Sequence, residues 1–287
     1  MNVPHSLILE QKENTKHGEV FFPIQKYITK LNLNSPVIMT HWHEEAELTL
    51  ITKGSCIYQI DLVDYEVNEG DLLFIPPLLL HSIRLNGTDD FCSETYVFHV
   101  NFLGGNATRY LTPMINHELT LPYHISSTHP AHHSLHECFI KMASLYTEQT
   151  FGYEIALKSV LLQALFLLLQ YSTTESATIS ASSDKLKNVL DYIDLHYAEP
   201  LTISELAELC YFSEYHFMRF FKKHMNMTCI QYINNVRLEK AVELFEHGET
   251  SILEVSLSVG FHNLSYFHRA FKAKYHMTPL SFIKRLN

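Results

Sequence analysis

The last hundred residues contain one helical pattern twice, and this duplication restricts the possible folds more than any other feature of the chain. One copy runs from Leu201 to Met227 and the second from Ser251 to Thr278. Each copy predicts a short apolar-periodic helix, a brief turn and a longer helix that mixes aromatic and basic residues. The pattern indicates a pair of helix-turn-helix units, so DNA recognition is the first functional hypothesis.

Capping residues predict where the helices of these units begin. Thr202 is followed three residues later by Glu205, which predicts an N-cap with a reciprocal carboxylate. Ser213 is the expected cap of the longer helix in the first unit, and Asn263 or Ser265 is the expected cap in the second. A further helix predicted over 230–246 would hold the two units rigidly apart.

Two units on one frame can enter successive major grooves of double-stranded DNA, about 34 Å apart. The side chains expected at base edges lie early in each longer helix: Glu214, Tyr215, His216, Met218, Arg219, Asn263, Ser265, Tyr266, His268 and Arg269. Four lysines are expected to meet phosphates: Lys222, Lys223, Lys272 and Lys274. A solvated helix face is an equal alternative for any single one of them.

The net charge of -10 does not argue against DNA binding once it is divided along the chain. Residues 1–183 hold 9 basic and 19 acidic residues, whereas residues 184–287 hold 12 of each. From Gly260 to Asn287 there are five basic residues and no acidic one. The excess negative charge is therefore N-terminal, and the second longer helix has a basic face.

The length of 287 residues predicts about two domains. In residues 172–183, eight of twelve residues are Ser or Thr, which is typical of a flexible linker. The expected domains are therefore residues 1–171 and residues 184–287. The N-terminus does not resemble a signal peptide, and the apolar run Val160–Leu169 is too short for a membrane helix. We expect a cytoplasmic protein with no membrane partner.

The first domain combines short strands with a helical pair. Strands are predicted at Val37–Met39, Glu47–Thr52, Cys56–Leu62, Asp71–Ile75 and Thr95–Phe102, a spacing typical of a small antiparallel barrel or jelly roll. Helices are predicted over 132–149 and 154–171, the second apolar around much of its surface. Such a helix packs within its own domain or against a partner, and we prefer a pair that also dimerises the protein.

Histidine and glutamate residues recur in the strand region. His41, His43 and Glu47 share one parity, and His81 follows on a later strand. Their spacing, His-x-His-x3-Glu-x6-Gly and then Gly-x5-Pro-x4-His, resembles the two motifs of the cupin barrel. In metal-binding cupins the matching residues would be ligands of a divalent metal such as Fe, Mn, Ni or Zn. The alternative is a polar pocket without metal, so no cofactor is required.

The C-terminal half resembles the AraC/XylS family of bacterial transcription regulators over about 100 residues. The matching positions are Leu206-Ala207, Ser213, Phe217, Arg219-Phe220-Phe221-Lys222, Tyr232, Arg237-Leu238, Ala241, Leu244, Ile252, Val259-Gly260-Phe261, Ser265-Tyr266-Phe267, Arg269-x-Phe271-Lys272 and Thr278-Pro279. With the cupin-like region, the resemblance extends over most of the chain. It implies an α+β protein of two domains: a cupin-like antiparallel β-barrel with a helical dimerisation pair, and an all-α domain with two helix-turn-helix units.

The resemblance implies a ligand-responsive regulator, a homodimer that acts as an activator more often than as a repressor, with RNA polymerase as a further partner. Family members with the motif His-x-His-x3-Glu-Leu suggest a carbohydrate or another small polar effector. The expected effector-binding residues are His41, His43, Glu47, Tyr58, His81 and Tyr96.

Two other functions compete with this hypothesis. One is a metal-dependent cupin enzyme, an oxygenase or isomerase, with an accessory DNA-binding domain. The other is a regulator without an effector, in which the barrel serves only for dimerisation. We expect no enzymatic activity, because fold resemblance to cupins is a weak argument for catalysis.

Overall fold

The computed structural model describes residues 22–104, 108–115, 119–173 and 181–286. The chain divides into two compact units, with the division between Ser183 and Asp184. Among the described residues, no helix is long and apolar enough to cross a lipid bilayer.

The described residues of the first unit form nine strands, three α-helices and a short 3-10 helix, Val100–Phe102. The strands are β1 (Ile24–Leu31), β2 (Val37–His41), β3 (Ala46–Lys53), β4 (Ser55–Ile60), β5 (Val63–Asn68), β6 (Leu72–Ile75), β7 (His81–Leu85), β8 (Phe91–Phe98) and β9 (His124–Ile125). The helices are α1 (Thr108–Ile115), α2 (His132–Glu148) and α3 (Tyr153–Leu169).

The strands form two antiparallel sheets, one in the order β1-β8-β3-β6-β9 and the other in the order β2-β7-β4-β5. Both sheets contribute to one buried cluster, which includes Ile51 and Phe91 from the first sheet and Tyr58 and Ile83 from the second. The predicted cupin-like architecture is confirmed, but the strands form two facing sheets, and no pairing joins the sheets among the described residues. Side-chain packing, not a continuous ladder, holds them together.

The outer face of the first sheet is covered by α2 and α3. Leu48, Phe74 and Tyr96 of this face share a core with Phe139 of α2 and Leu161 of α3. The two helices were expected from periodicity, and their bounds agree with the prediction within two residues. They pack on the sheet because each presents a wide apolar stripe that water would otherwise contact.

The predicted linker, residues 172–183, falls largely outside the described residues, since 174–180 are not described. Its last three residues are helical, because α4 begins at Ala181. Ser183 is fully buried, and Asp184 in the first helical turn favours a helix start there. The last three residues of the predicted linker therefore belong to α4.

The second unit contains seven helices in its described residues. They are α4 (Ala181–His196), α5 (Ile203–Leu209), α6 (Glu214–Met225), α7 (Cys229–Glu246), α8 (Ile252–Ser258), α9 (Leu264–Tyr275) and α10 (Pro279–Leu286). Helices α5 and α6 form one helix-turn-helix unit, and α8 and α9 form the other. The long helix α7 lies between them in sequence.

Local hydrogen bonds explain where these helices begin. Thr202 and Glu205 form a complete capping box at the start of α5. Ser213 caps α6, and Asn263 caps α9 by accepting a hydrogen bond from the Tyr266 amide. The caps are 50 residues apart for α6 and α9, whereas those of α5 and α8, Thr202 and Ser251, are 49 apart. The turn of the second unit is therefore one residue longer.

Candidate nucleic-acid interface and ligand site

The side chains of α6 divide into a buried apolar face and an exposed face. Phe217, Phe220 and Phe221 are buried and hold the helix against the rest of the unit. The exposed face contains Glu214, Tyr215, His216, Met218, Arg219, Lys222 and Lys223, all the residues predicted there to contact DNA. The Arg219 guanidinium lies over the Tyr215 ring at 5.7 Å, which restricts the orientations available to the arginine.

The corresponding helix α9 repeats this arrangement. Phe267 and Phe271 are buried, while Ser265, Tyr266, Arg269 and Lys272 are exposed and His268 is half-buried. Arg269 lies over the Tyr266 ring at 5.8 Å, as Arg219 does over Tyr215. Each recognition helix therefore presents an arginine supported by an aromatic ring, a donor suited to guanine edges.

Two predicted contact residues of α9 have additional structural roles. The exposed Asn263 uses its side-chain oxygen to cap the helix, so that oxygen is engaged within the protein. Tyr266 receives a hydrogen bond from the Asn234 amide of α7 at 2.9 Å. Asn234 was not expected from the sequence, because the partners are 32 residues apart and no local pattern connects them.

The prediction that Lys274 contacts phosphate is contradicted by its surroundings. Its ammonium group binds the Glu239 carboxylate at 2.5 Å and donates to the Asn235 carbonyl at 3.2 Å. Both side chains of the ion pair are only 10% exposed. Burial lowers the pKa of Lys274, while Glu239 opposes that shift. Lys274 turns towards α7 and joins it to α9.

The turn of the second unit contains Gly260 with φ of +90°. A Cβ atom at this position would lie 2.8 Å from the Ala198 carbonyl oxygen and 3.0 Å from the Arg237 side chain. Arg237 itself donates hydrogen bonds to the carbonyls of Tyr197 and Glu199. Only glycine fits both the backbone conformation and the close approach.

A separate group of polar residues lies in the first unit, where His41, His43 and His81 come together. The candidate ligand atoms of these three histidines lie within 4.8 Å of one another. His41, at the end of β2, pairs in register with His81, at the start of β7. Glu47 comes from β3 in the other sheet, so the cluster spans both sheets rather than one continuous strand.

The carboxylate of Glu47 binds two of these histidines. Its Oε1 atom lies 3.0 Å from Nε2 of His43 and 3.7 Å from Nε2 of His81. Burial alone would raise the pKa of Glu47, but His81 and His43 hold it well below its usual range. Burial, together with His81 and His43, lowers the pKa of His41 to about 3, so its imidazole is neutral.

Hydroxyl side chains also lie on the inner faces of the two sheets, near the histidines and Glu47. Tyr58 is 1% exposed, lies beside Ser93 and is close enough to Glu47 to sense its charge. Burial holds the pKa of Tyr58 well above its ordinary value, so the phenol remains a hydrogen-bond donor. Thr49 and Thr95 share a hydrogen bond of 2.9 Å between neighbouring strands.

Comparison with known proteins identifies both units. Residues 206–285 match a helix-turn-helix domain, and residues 34–165 match the AraC-like ligand binding domain. Over 282 residues the chain is 30% identical to YdeC, an uncharacterized HTH-type transcriptional regulator of Bacillus subtilis, covering 96% of each protein. The chain belongs to the AraC family. It is a DNA-binding transcriptional regulator with a ligand-binding domain.

Other similarities of this AraC-family regulator are more partial. The regulatory protein PocR of Salmonella typhimurium is 33% identical over 103 residues, which cover 36% of this chain and 34% of PocR. The crystal structure of ToxT from Vibrio cholerae O395, bound to (E)-4-(8-methylnaphthalen-1-yl)but-3-enoic acid, covers 92% of this chain at 14% identity with a TM-score of 0.40.

One predicted effector-binding residue of the regulator lies elsewhere. Tyr96 pairs with Leu48, on the face of the sheet opposite to Glu47, and its ring packs against Phe139 and Tyr146 of α2. The prediction that Tyr96 lines the pocket is therefore wrong, because strand parity directs its side chain to the helices. His41, His43, Glu47, His81 and Tyr58 lie on the inner faces.

Proposed function

We propose that this AraC-family regulator activates transcription when a small polar effector, such as a carbohydrate, binds between the two sheets. Residues 1–171 act as the sensor and residues 184–287 as the DNA-binding domain, in a cytoplasmic protein that contacts RNA polymerase at its promoter. The observation that carries the proposal is the pair of recognition helices, each with an exposed, ring-supported arginine beside lysines.

The effector class is supported by the chemistry of the interior. The phenol of Tyr58, three further hydroxyl groups and two imidazoles are buried, and the Glu47 carboxylate beside them is 13% exposed. Such groups suit a ligand rich in hydroxyls. Buried polar groups are costly unless they are hydrogen-bonded, so an effector that pairs with them gains affinity and specificity. Binding then shifts an equilibrium between arrangements of the protein that reach DNA differently.

Dimerisation is supported by one face of α3. Ile155, Leu162 and Phe166 are 77%, 37% and 58% exposed, and their spacing of seven and four residues places them on one side of the helix. The opposite side is buried in the unit through Leu157, Leu161 and Leu168, among others. We propose that a second copy of the chain covers the exposed stripe.

A thermal-shift screen of the full-length protein over sugars and related metabolites tests the sensor. An effector at 100 times its Kd stabilises the folded state by about 2.7 kcal/mol, so an increase in Tm is expected. Tyr58→Phe should reduce that increase, whereas Tyr96→Phe, on the outer face, should leave it unchanged. A panel with no stabilising compound, or equal effects of both substitutions, would contradict a polar effector at this site.

A further inference from the structure

The arginines of the two recognition helices occupy equivalent positions, but the tyrosines that support them do not. Arg219 and Arg269 each lie six residues after the N-cap of their helix. Tyr215 follows its cap by two residues, whereas Tyr266 follows its cap by three. One residue of helix corresponds to a rotation of about 100°. The two rings therefore flank their arginines on opposite sides.

The side chain of Tyr266 reaches α7, the long helix that lies between the two helix-turn-helix units in sequence. Its hydroxyl oxygen accepts a hydrogen bond of 2.9 Å from the Asn234 amide. Its backbone amide donates to the Asn263 cap, and its ring centroid lies 6.0 Å from that of Phe261 in the turn. Tyr266 is thus held at its backbone, its ring and its hydroxyl group, although it is 41% exposed.

The tyrosine of α6 is attached differently. Tyr215 is 67% exposed, and its hydroxyl makes no hydrogen bond within the described part of the chain. The residue of α6 that matches Tyr266, three positions after the cap, is His216. The ring centroid of His216 lies 4.2 Å from that of Phe212 in the turn of its own unit. The ring beside Arg219 is therefore less restrained than the ring beside Arg269.

A second contact with α7 fixes the other end of α9. Lys274 donates to the Glu239 carboxylate and to the Asn235 carbonyl, and both side chains of the ion pair are only 10% exposed. Tyr266 and Lys274 are eight residues apart, about 12 Å along the helix. Helix α9 is therefore joined to α7 at two separate points, which define the position of the Tyr266 ring.

These contacts bear on DNA reading because an arginine that is ordered before binding loses less conformational freedom when it contacts a base. Ordering one rotamer-rich side chain on binding costs about 2- to 13-fold in affinity. The Arg269 guanidinium lies over the Tyr266 ring at 5.8 Å, so a fixed ring restricts the arginine as well.

We propose that Asn234 is a positioning residue for DNA recognition: its hydrogen bond fixes Tyr266 and, through the ring, holds Arg269 in the orientation that reads a base. The inference rests on the base contact expected of Arg269. It makes the second helix-turn-helix unit a preorganised reader, whereas the first orders its arginine on binding.

Fluorescence titration of the full-length protein tests this role, with the duplex most enriched from random DNA and a scrambled duplex. Asn234→Ala should weaken binding to the enriched duplex by about 2- to 13-fold. Its affinity for the scrambled duplex and its salt slope should stay unchanged, because no phosphate contact is lost. Tyr266→Phe removes the same hydrogen bond with a smaller change, and the double variant should lose no more than the larger single loss.

A neighbouring asparagine of α7 serves as the matched control. The side chain of Asn235 contacts the Met227 sulfur at 3.6 Å, not α9, so Asn235→Ala should keep both affinities. Equal losses on both duplexes, or an equal loss in the Asn235 variant, would overturn the positioning role.

Selection from random DNA, repeated with the variants, separates this role from the base contact itself. Asn234→Ala should relax the preference at the base positions that also relax in Arg269→Ala. Wild-type selectivity in the Asn234 variant, beside a relaxed preference in the Arg269 variant, would overturn the positioning role and leave the base contact intact. Unchanged selectivity in Arg269→Ala would overturn both.

Discussion

Arg219 and Lys222 lie on the same exposed face of α6 but are expected to contribute differently to DNA binding. Arg219 has the fork geometry that reads guanine, and its position over Tyr215 limits its freedom before binding. Lys222 is a mobile point charge suited to phosphate.

Replacement of these two residues should therefore have distinct signatures. Arg219→Ala should weaken specific binding by about 1–3 kcal/mol and relax the preference at one base position. Lys222→Ala should weaken specific and non-specific binding alike and reduce the salt slope by about 1. Fluorescence titrations with specific and scrambled duplexes at several salt concentrations distinguish the two; identical salt slopes and equal losses on both duplexes would refute the division.

On α9, Lys274 is expected to contribute to stability and Lys272 to DNA binding. Lys274 is held in the buried ion pair with Glu239, and removing one partner of such a pair costs about 3–5 kcal/mol. Lys274→Ala should lower the free energy of unfolding by that amount, and the folded variant should bind DNA with the wild-type salt slope.

The exposed Lys272 is the control for this change. Lys272→Ala should leave the stability within about 0.5 kcal/mol, as is usual for surface positions, and should reduce the salt slope. Chemical denaturation and DNA titration of both variants provide the comparison. A Lys274 variant of native stability with weaker phosphate binding would restore the role predicted from the sequence.

At the scale of single elements, the turn of the second helix-turn-helix unit tolerates only glycine at position 260. Gly248 has a similar φ of +98° but open space where a Cβ would lie, whereas Gly260 faces a backbone carbonyl at 2.8 Å. Gly248→Ala therefore introduces only backbone strain, of about 1–3 kcal/mol. Gly260→Ala adds a clash that no side-chain rotation relieves and should lower Tm clearly more. Thermal unfolding measures both, and equal losses would show that the close approach is unimportant.

The exposed stripe of α3 belongs to this scale as well. Phe166→Asp places a charge in the proposed dimer contact, so the mass measured by light scattering should fall from that of a dimer to that of a monomer. Val63 on β5 is similarly exposed at 53%, and Val63→Asp should remain dimeric. A monomeric wild type, or a Phe166 variant that stays dimeric, would contradict the proposed contact.

Helix starts can be predicted from the sequence because their determinants are local. Thr202 and Glu205 form the expected capping box, and α2 and α3 follow their apolar periodicity. Four strands, β1, β5, β7 and β9, were not predicted individually. Strand β5 shows why, since only Val67 is fully buried and its other positions carry polar or half-exposed side chains. Its place depends on pairing with β4, which is a tertiary property.

Site residues, too, could be predicted where local spacing determines their position, but not where tertiary packing does. The three histidines and Glu47 could be grouped by spacing, but Tyr96 was assigned to the wrong face because its parity relative to Glu47 depends on the register of β8 against β3. Lys274 and Asn234 find their partners across helices 35 and 32 residues away in sequence. Such contacts arise only after the helices have packed, so no local pattern reveals them.

At the scale of the whole molecule, the chain combines a ligand-binding unit with two DNA-reading units. The alternative of a metal-dependent enzyme requires turnover that His43→Ala abolishes; metal binding at the cluster would not by itself favour it. A regulator without an effector would show no stabilising metabolite. Both alternatives predict different behaviour from a sensor whose ligand changes DNA binding.

The measurement that tests the account most directly is selection of bound fragments from random and genomic DNA by the full-length protein, at fixed salt, with and without a metabolite pool. The account predicts enrichment of a specific motif that spans about two major grooves, and a change in that enrichment when the effector is present. Binding that is equally sequence-independent and salt-sensitive under both conditions would contradict it, because α6 and α9 would then contact only phosphates.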